Sequence, residues 1–330
     1  MAISNIQTTS VINATDSANG LKPSAYYDKI LLKVLRATDF KHRMFAKKKN
    51  LPKNYGDTIN FRTYKKLDPK LTPLTEAMTP APDSAEGSSI TAVIKQYGAV
   101  MYFSDKVKNE QLDDVVTEYV IEQGHQARET LDLVARNTLI TGAGTHFYAG
   151  GVSSASAVAT KASIDDFRKM ANGMKKQHIR GVKGNRYGVF VSVDVMQDLL
   201  DDERVQRLME YGGTNKPMMD NEIVNIYNLS FVEVINPAIL RKGETDETGK
   251  ELGTFSGNHE VHRSIMVGEE AYAEVNLSGE NVKTFFKGLG SAGTEDPINQ
   301  RLSIGWKING YAVKVLKPQA VGIYYSANLR

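Results

Sequence analysis

Apolar positions along the chain change period several times, and the changes mark out the elements. Ser24 sits where an N-cap is wanted, and Tyr27, Ile30, Leu31, Val34 and Leu35 follow on one face, which predicts a short helix. Residues Asp57 to Tyr64 then alternate as a strand does, and so does the run Ser88 to Ile94. The stretch 51–90 that holds both runs contains Pro52, Pro69, Pro73, Pro80 and Pro82, half of the ten prolines. The pattern predicts a long two-stranded excursion with an irregular tip. An isolated hairpin is marginal in water, and this one has too few apolar residues for a core of its own. It needs a surface to lie on, and a second copy of the chain is the simplest source. Tyr97 to Phe103 continues as a buried strand that stops at a Ser104-Asp105 turn.

The strongest helical period runs from about Asp113 to Thr141. Leu112, Val116, Tyr119, Val120, Ala127, Leu131, Val134 and Ala135 recur in steps of three, four and seven. Asp113, Asp114 and Glu118 crowd its start, where the helix dipole favours acids. At 1.5 Å per residue it is roughly 40 Å long, a spine across a whole domain. Gly142, Gly144, Gly150 and Gly151 end it, and a Ser/Ala-rich linker runs to Ala162. Ser163 and Asp166 form a candidate capping box before Phe167, Met170, Ala171 and Met174. Tyr187, Val189, Val191, Val193 and Val195 alternate as a strand, and Met196–Tyr211 reads as one helix with Leu199, Leu200, Val205 and Leu208 inward. Further strands are expected at Phe231–Ile235, Ser264–Val267, Tyr311–Leu316 and Val321–Tyr325, with a charged loop from Arg241 to Glu251. Helices and strands interleave without a βαβ rhythm, so the class is α+β. No internal repeat is visible.

Composition narrows the function classes. The 330 residues are 41% apolar and 24% charged, ordinary for a folded soluble chain of one large or two modest domains. There is no cysteine, which removes disulfide scaffolds, thiol catalysis and thiolate zinc sites. No run approaches the ~18 apolar residues of a membrane span. Residues 1–20 are polar, unlike a signal peptide, so the expectation is a soluble protein made in a reducing cytoplasm. Charge changes the picture more. Between Lys29 and Lys70 lie 13 basic residues against Asp39, Asp57 and Asp68, a net +10, which leaves −7 for the rest of a chain of net +3. Such a split favours contact between a basic arm and acidic surface, in the same or a neighbouring subunit. The alternatives for Lys41-His42-Arg43 and Lys47-Lys48-Lys49 are nucleic acid phosphates or a solvated surface.

Candidate chemistry is thin. Gly142-Ala143-Gly144-Thr145 is not a dinucleotide fingerprint and follows a helix, where such a loop must follow a strand. Gly243 to Lys250 has the wrong spacing for a phosphate loop, with Glu251 where Ser or Thr would hold magnesium. His259 and His262 are three apart in a strand-like run, so they point to opposite faces and cannot share a metal. No Ser stands in a GxSxG elbow. Asp165/Asp166 and Asp201/Asp202 are explained by capping. No cofactor, metal or catalytic set is expected.

A mobile arm, a projecting hairpin, a spine helix and no catalytic constellation suggest an assembly subunit, and several runs point the same way. Tyr55-Gly56-Asp57-Thr58-Ile59-Asn60-Phe61-Arg62-Thr63-Tyr64, Pro73-Leu74-Thr75-Glu76-Ala77-Met78-Thr79-Pro80, Lys95-Gln96-Tyr97-Gly98 and Ser104-Asp105 occur in that order. Later come Phe190 to Leu199, Asn221-Glu222-Ile223 leading into Leu229-Ser230-Phe231-Val232-Glu233, Val267-Gly268-Glu269-Glu270-Ala271-Tyr272, and Asp296-Pro297 through Ile304-Gly305-Trp306-Lys307. From about residue 24 to the end, this order and spacing resembles the coliphage N-four-type major capsid protein family of tailed bacteriophages.

The resemblance implies the Hong Kong 97-like fold, with residues 1–50 as N-terminal arm and 51–90 as extended loop. Residues 91–150 would be the peripheral domain with the spine helix, 151–255 the axial domain, and 256–330 strands returning to both. It implies pentamers and hexamers closing into an icosahedral virion shell around double-stranded DNA, assembled in the host bacterial cytoplasm. The implied partners are a separate scaffold protein, a portal, possible decoration proteins and DNA contacted without sequence specificity; no membrane is involved. The expected inter-subunit contacts are Phe61, Tyr64, Leu67, Leu71 and Leu74 on the loop and Lys41, Arg43, Lys47, Lys48 and Lys49 on the basic arm. Lys65, Lys66 and Lys70 lie on the loop, but the sequence assigns no catalytic Glu, so cross-linking is not predicted. Rival readings are an encapsulin-like nanocompartment, a DNA-binding protein using the basic region, and an enzyme of unrecognised site.

Overall fold

The computed structural model describes residues 6–7, 41–64, 67, 69–71, 73, 76, 79, 82–84, 86–110, 115–182, 184–211, 223–244, 255–291 and 293–329. The helix expected from Ser24 to Leu35 lies outside these residues. The first strands are β1 (Ile6–Gln7), β2 (Lys47–Leu51), β3 (Thr58–Tyr64), β4 (Gly87–Val93) and β5 (Lys95–Ser104). Two helices follow, α1 (Asp105–Glu110) and the spine α2 (Val115–Gly142), then β6 (Thr145–Tyr148). The middle of the chain forms α3 (Ile164–Lys176), β7 (Tyr187–Val191), α4 (Val193–Leu200) and α5 (Glu203–Tyr211). It continues through β8 (Ile223–Ile226), β9 (Leu229–Glu233), β10 (Ala238–Leu240) and β11 (Glu260–Val267). The last strands are β12 (Tyr272–Leu277), β13 (Lys283–Lys287), β14 (Arg301–Val315) and β15 (Val321–Asn328).

These strands make two large sheets and a hairpin. The first sheet runs β1-β5-β14-β12-β2, with β13 also paired to β14; the second runs β6-β15-β11-β7-β9-β8, with β10 on β11. The strands after residue 256 therefore divide between the sheets. The spine's 28 residues cross the first sheet, and at 1.5 Å each the helix is roughly 42 Å long. Its buried positions include Val120, Gln123, Ala127, Leu131, Ala135 and Leu139, the three-and-four stepping read from the sequence, with Arg136 and Ile140 buried beside them. Three hydrogen bonds fix it to β14: Gln123 Nε2 to the Ile304 carbonyl (2.9 Å), Trp306 Nε1 to Gln126 Oε1 (3.0 Å) and Tyr311 OH to the Leu131 carbonyl (3.4 Å). Between Asn309 and Tyr311 the register against β5 shifts by one residue, and Gly310 takes φ +116° there, a value that suits glycine alone. The bulge restores the phase of β14, so Tyr311, Val313 and Val315 join the same core as Trp306 and Ile308.

Several sequence readings change. The run Tyr187 to Val195 is not one alternating strand. All five residues of β7 are buried, so both faces of this interior strand, which pairs with β11 and β9, are covered. Ser192 then caps α4 by accepting the Val195 N–H at 3.3 Å, so Val193 and Val195 are helical. Met196–Tyr211 is two helices because Asp202 interrupts it, its Oδ1 accepting the Arg204 N–H at 3.0 Å. Ser163 caps α3 through the Asp165 N–H (3.3 Å), whereas Asp166 turns to Lys169 (2.9 Å) and the Tyr324 hydroxyl (3.2 Å) and closes no box. Asp105 starts a helix rather than a turn. The strand Tyr97–Phe103 alternates, with Val100 exposed, and is not buried on both faces. Strands β1, β2, β6, β8, β10, β12 and β13 were not anticipated.

Candidate functional site

The excursion predicted from the prolines is present. Strands β3 and β4 pair antiparallel from Thr58 opposite Val93 to Tyr64 opposite Gly87. One face of the ribbon carries Ile59, Phe61, Ile90 and Ala92, and its inner part packs with Leu51, Val275, Ala312 and Leu277 of the first sheet. Phe61, expected at a neighbour, is thus half-buried against its own chain and helps root the hairpin. Farther out the chain gives no cover: Tyr64 is 79% exposed, Leu67 59% and Leu71 90%. Leu74 lies outside the described residues. Lys70 pairs with Asp83 at 2.6 Å across the loop.

A carboxylate holds the root. Glu280 accepts from Lys283 (2.6 Å) on β13, from Lys53 (2.7 Å) just before the hairpin, and from Asn309 Nδ2 (3.4 Å) at the bulge. The hydrogen bonds from Lys283 and Lys53 lower its pKa from 4.5 to about 2.

The basic segment is placed differently from expectation. Lys41–Arg43 form a single 3-10 turn, and β2 adds in parallel to β12 of the same chain, with Lys47 opposite Ala273 and Leu51 opposite Leu277. His42 is buried beside the spine, its N–H on Asp132 Oδ1 (3.2 Å) and its Nδ1 at 2.7 Å from Asp132 Oδ2. The Arg43 guanidinium donates to Glu274, a fully buried carboxylate, and lies 5.2 Å from the centre of the Tyr311 ring. Burial pulls the Arg43 pKa below its usual value and pushes the hydroxyls of Tyr272 and Tyr311 up. Lys47 donates to Glu270, whose pKa that contact lowers. Arg43 and Lys47 therefore find their carboxylates inside the subunit, because a parallel edge strand brings them onto β12 and its flanking turn. Lys48 and Lys49 are exposed and Lys41 is half-exposed.

The sequence analysis missed Glu274, Asp132 and Glu280. Glu274 left a signal: it stands alone within Ala271-Tyr272-Ala273-Glu274-Val275, and an acid in such an apolar run needs a buried cation. His262, the other close histidine, is buried, with Nδ1 at 2.7 Å from Ser192 Oγ, and His259 is half-exposed.

A hairpin rooted on a sheet, a spine helix across that sheet and a second sheet beside it make up an arrangement shared with known proteins. The family model described as phage capsid protein matches residues 87–325, from β4 through β15. The chain belongs to the phage capsid protein family. Solved structures agree on the fold. The capsid of the cyanophage P-SCSP1u superposes with a TM-score of 0.62 at 15% identity, over 95% of this chain and 93% of that one. The capsid of Ralstonia phage GP4 gives 0.63 at 12% identity, over 88% and 89%. The capsid of Helicobacter pylori bacteriophage KHP30 gives 0.63 at 11% identity, over 97% and 95%. No curated protein matches the sequence. The fold of this capsid protein is Hong Kong 97-like, α+β, and its place is in the virion shell, built from copies of itself.

Proposed function

We propose that this capsid protein forms pentamers and hexamers that close into an icosahedral shell around the double-stranded DNA of a tailed phage, and that its hairpin is the part that reaches the next subunit. The observation that carries this reading is the outer hairpin. Tyr64, Leu67 and Leu71 are large apolar side chains that their own chain leaves to solvent, and exposed apolar groups of this kind mark an interaction surface. A projection from one copy placed on a different surface of the next makes a head-to-tail contact, and such contacts close as rings. In this reading the first sheet with the spine is the peripheral domain, the second sheet the axial domain, and the role is structural, without catalysis. Lys48 and Lys49, with Lys41, are the arm residues left to meet acidic surface on a neighbour; Arg43 and Lys47 anchor the arm's root. A separate scaffold protein and a portal complete the assembly in the host cytoplasm.

The test exploits the pairing of Tyr64 with Gly87. Replacing residues 65–86 by Asn-Gly joins these two residues through a two-residue turn that suits the ribbon's twist. The variant is expected to keep the far-ultraviolet circular dichroism and melting of the native subunit and to form no shells. Intact particles from it would overturn the assignment of the hairpin.

A further inference from the structure

The face of the first sheet that looks away from the spine is left open where β5, β14 and β13 run side by side. Register fixes what lies there. Val100 stands opposite Gly305 and Gly305 opposite Phe285; one step along, Gly98 stands opposite Lys307. Cross-strand partners share a face, so two glycines form a floor between large side chains. A Cβ on Gly98 would lie 2.6 Å from the Trp306 carbonyl oxygen and one on Gly305 2.9 Å from that of Ala99, so the strands approach too closely there for any side chain. The result is a trough of about 530 Å³ walled by Val100 and Phe285, which are 55% and 48% exposed.

Two more features converge on it. Lys287 and Lys307 line the trough, and among the described residues neither meets a carboxylate, unlike Lys283, which Glu280 holds. Among the described residues strand β13 pairs only with β14, so no other described strand lies along its outer edge. Lysines on a strand edge discourage pairing with another copy of the same basic edge; they attract an anionic strand instead.

We propose that this edge and trough dock an extended acidic segment of a second protein. The segment adds to β13 as a strand. Its alternate apolar side chains, period two, enter the trough beside Phe285 and Val100, and its carboxylates meet Lys287 and Lys307. The hairpin of a neighbouring copy is the poorer occupant. Its distal part, residues 67–86, has net charge −3 and would suit the lysines, but Pro69, Pro73, Pro80 and Pro82 interrupt any run of N–H donors that an added strand needs.

The probe is a fluorescein-labelled eight-residue peptide of alternating Glu and Val, titrated into the full-length protein and into assembled shells. Fluorescence anisotropy is expected to show saturable binding that weakens as salt rises. Alternate N-methylation of the peptide, which removes the edge hydrogen bonds while the protein stays native, is expected to weaken binding at least tenfold, and K287E/K307E to do the same. Absence of saturable binding, or binding that N-methylation leaves unchanged, overturns the proposal. Because the native chain has no cysteine, L71C/V100C reports on the rival occupant directly. An inter-subunit disulfide between these positions in oxidised shells would show that the hairpin fills the trough and would also overturn the proposal, while the capsid reading would stand.

Discussion

Replacing Arg43 with Ala separates two roles for the basic segment. If Arg43 served a neighbouring subunit, its loss would leave the isolated subunit intact. The structure places it instead on Glu274, which is 0% exposed, with the guanidinium near the Tyr311 ring. Truncation strands a buried carboxylate without its cation, and breaking such a pair from one side costs roughly 3–5 kcal/mol. A chain of this size loses about 2 °C of melting temperature per kcal/mol, so R43A should melt roughly 6–10 °C below the native subunit. The double variant R43M/E274L removes both charges and fills similar volume, so it should recover most of that loss. The assay is differential scanning calorimetry of unassembled protein at neutral pH. A melting temperature unchanged in R43A, with assembly lost, would refute the intramolecular anchor and return Arg43 to the inter-subunit contacts.

Three further outcomes are expected. Glu280 has a pKa of about 2 in the fold against 4.5 free, so its contribution to stability is complete above pH 4.5 and disappears as pH falls toward 2; E280Q should flatten the acid limb of the denaturation curve over that window. Burial holds the His262 pKa below 6.5, facing Asp194 and Asp198 from α4, Glu260 on its own strand and Arg241 after β10. Below pH 6.5 the unfolded chain takes a proton that the fold refuses, so urea midpoints should drop between pH 7.5 and 5.5, and less so in H262Q. G310A forces a Cβ onto φ +116° and to 2.9 Å from Ile94 Cδ1 and Leu277 Cβ, so it should cost about 1–3 kcal/mol in a denaturant titration and loosen the root of the hairpin; a neutral result would mean the bulge relaxes.

The spine and the hairpin were legible because each rests on a local rule. A 3.6 period sustained from Val120 to Leu139 admits one reading, and prolines bracketed by alternating runs admit few others. What failed was decided by neighbours. Strand β7 has no polar face to alternate with, so its pattern blurred into the first turn of α4, and only the Ser192 cap marks the boundary. Strand β2, Lys47-Lys48-Lys49-Asn50-Leu51, has almost no strand propensity of its own; β12 imposes its conformation. For the same reason the charge split pointed correctly to contact between the basic segment and acids but not to which copy supplies them. The residues that answer, Asp132, Glu270 and Glu274, lie 90 and more positions away in sequence. Tyr64, Leu67 and Leu71 stood out in the sequence as large apolar side chains on the outer hairpin, and they are exposed in the fold, whereas the half-burial of Phe61 was not legible because its cover comes from β12 and β14.

Negative-stain electron microscopy of the purified protein, alone and co-expressed with candidate scaffold genes, tests the central claim most directly. Closed shells, or pentamer and hexamer rings, are the predicted result. Monodisperse monomers under both conditions would contradict the assembly role.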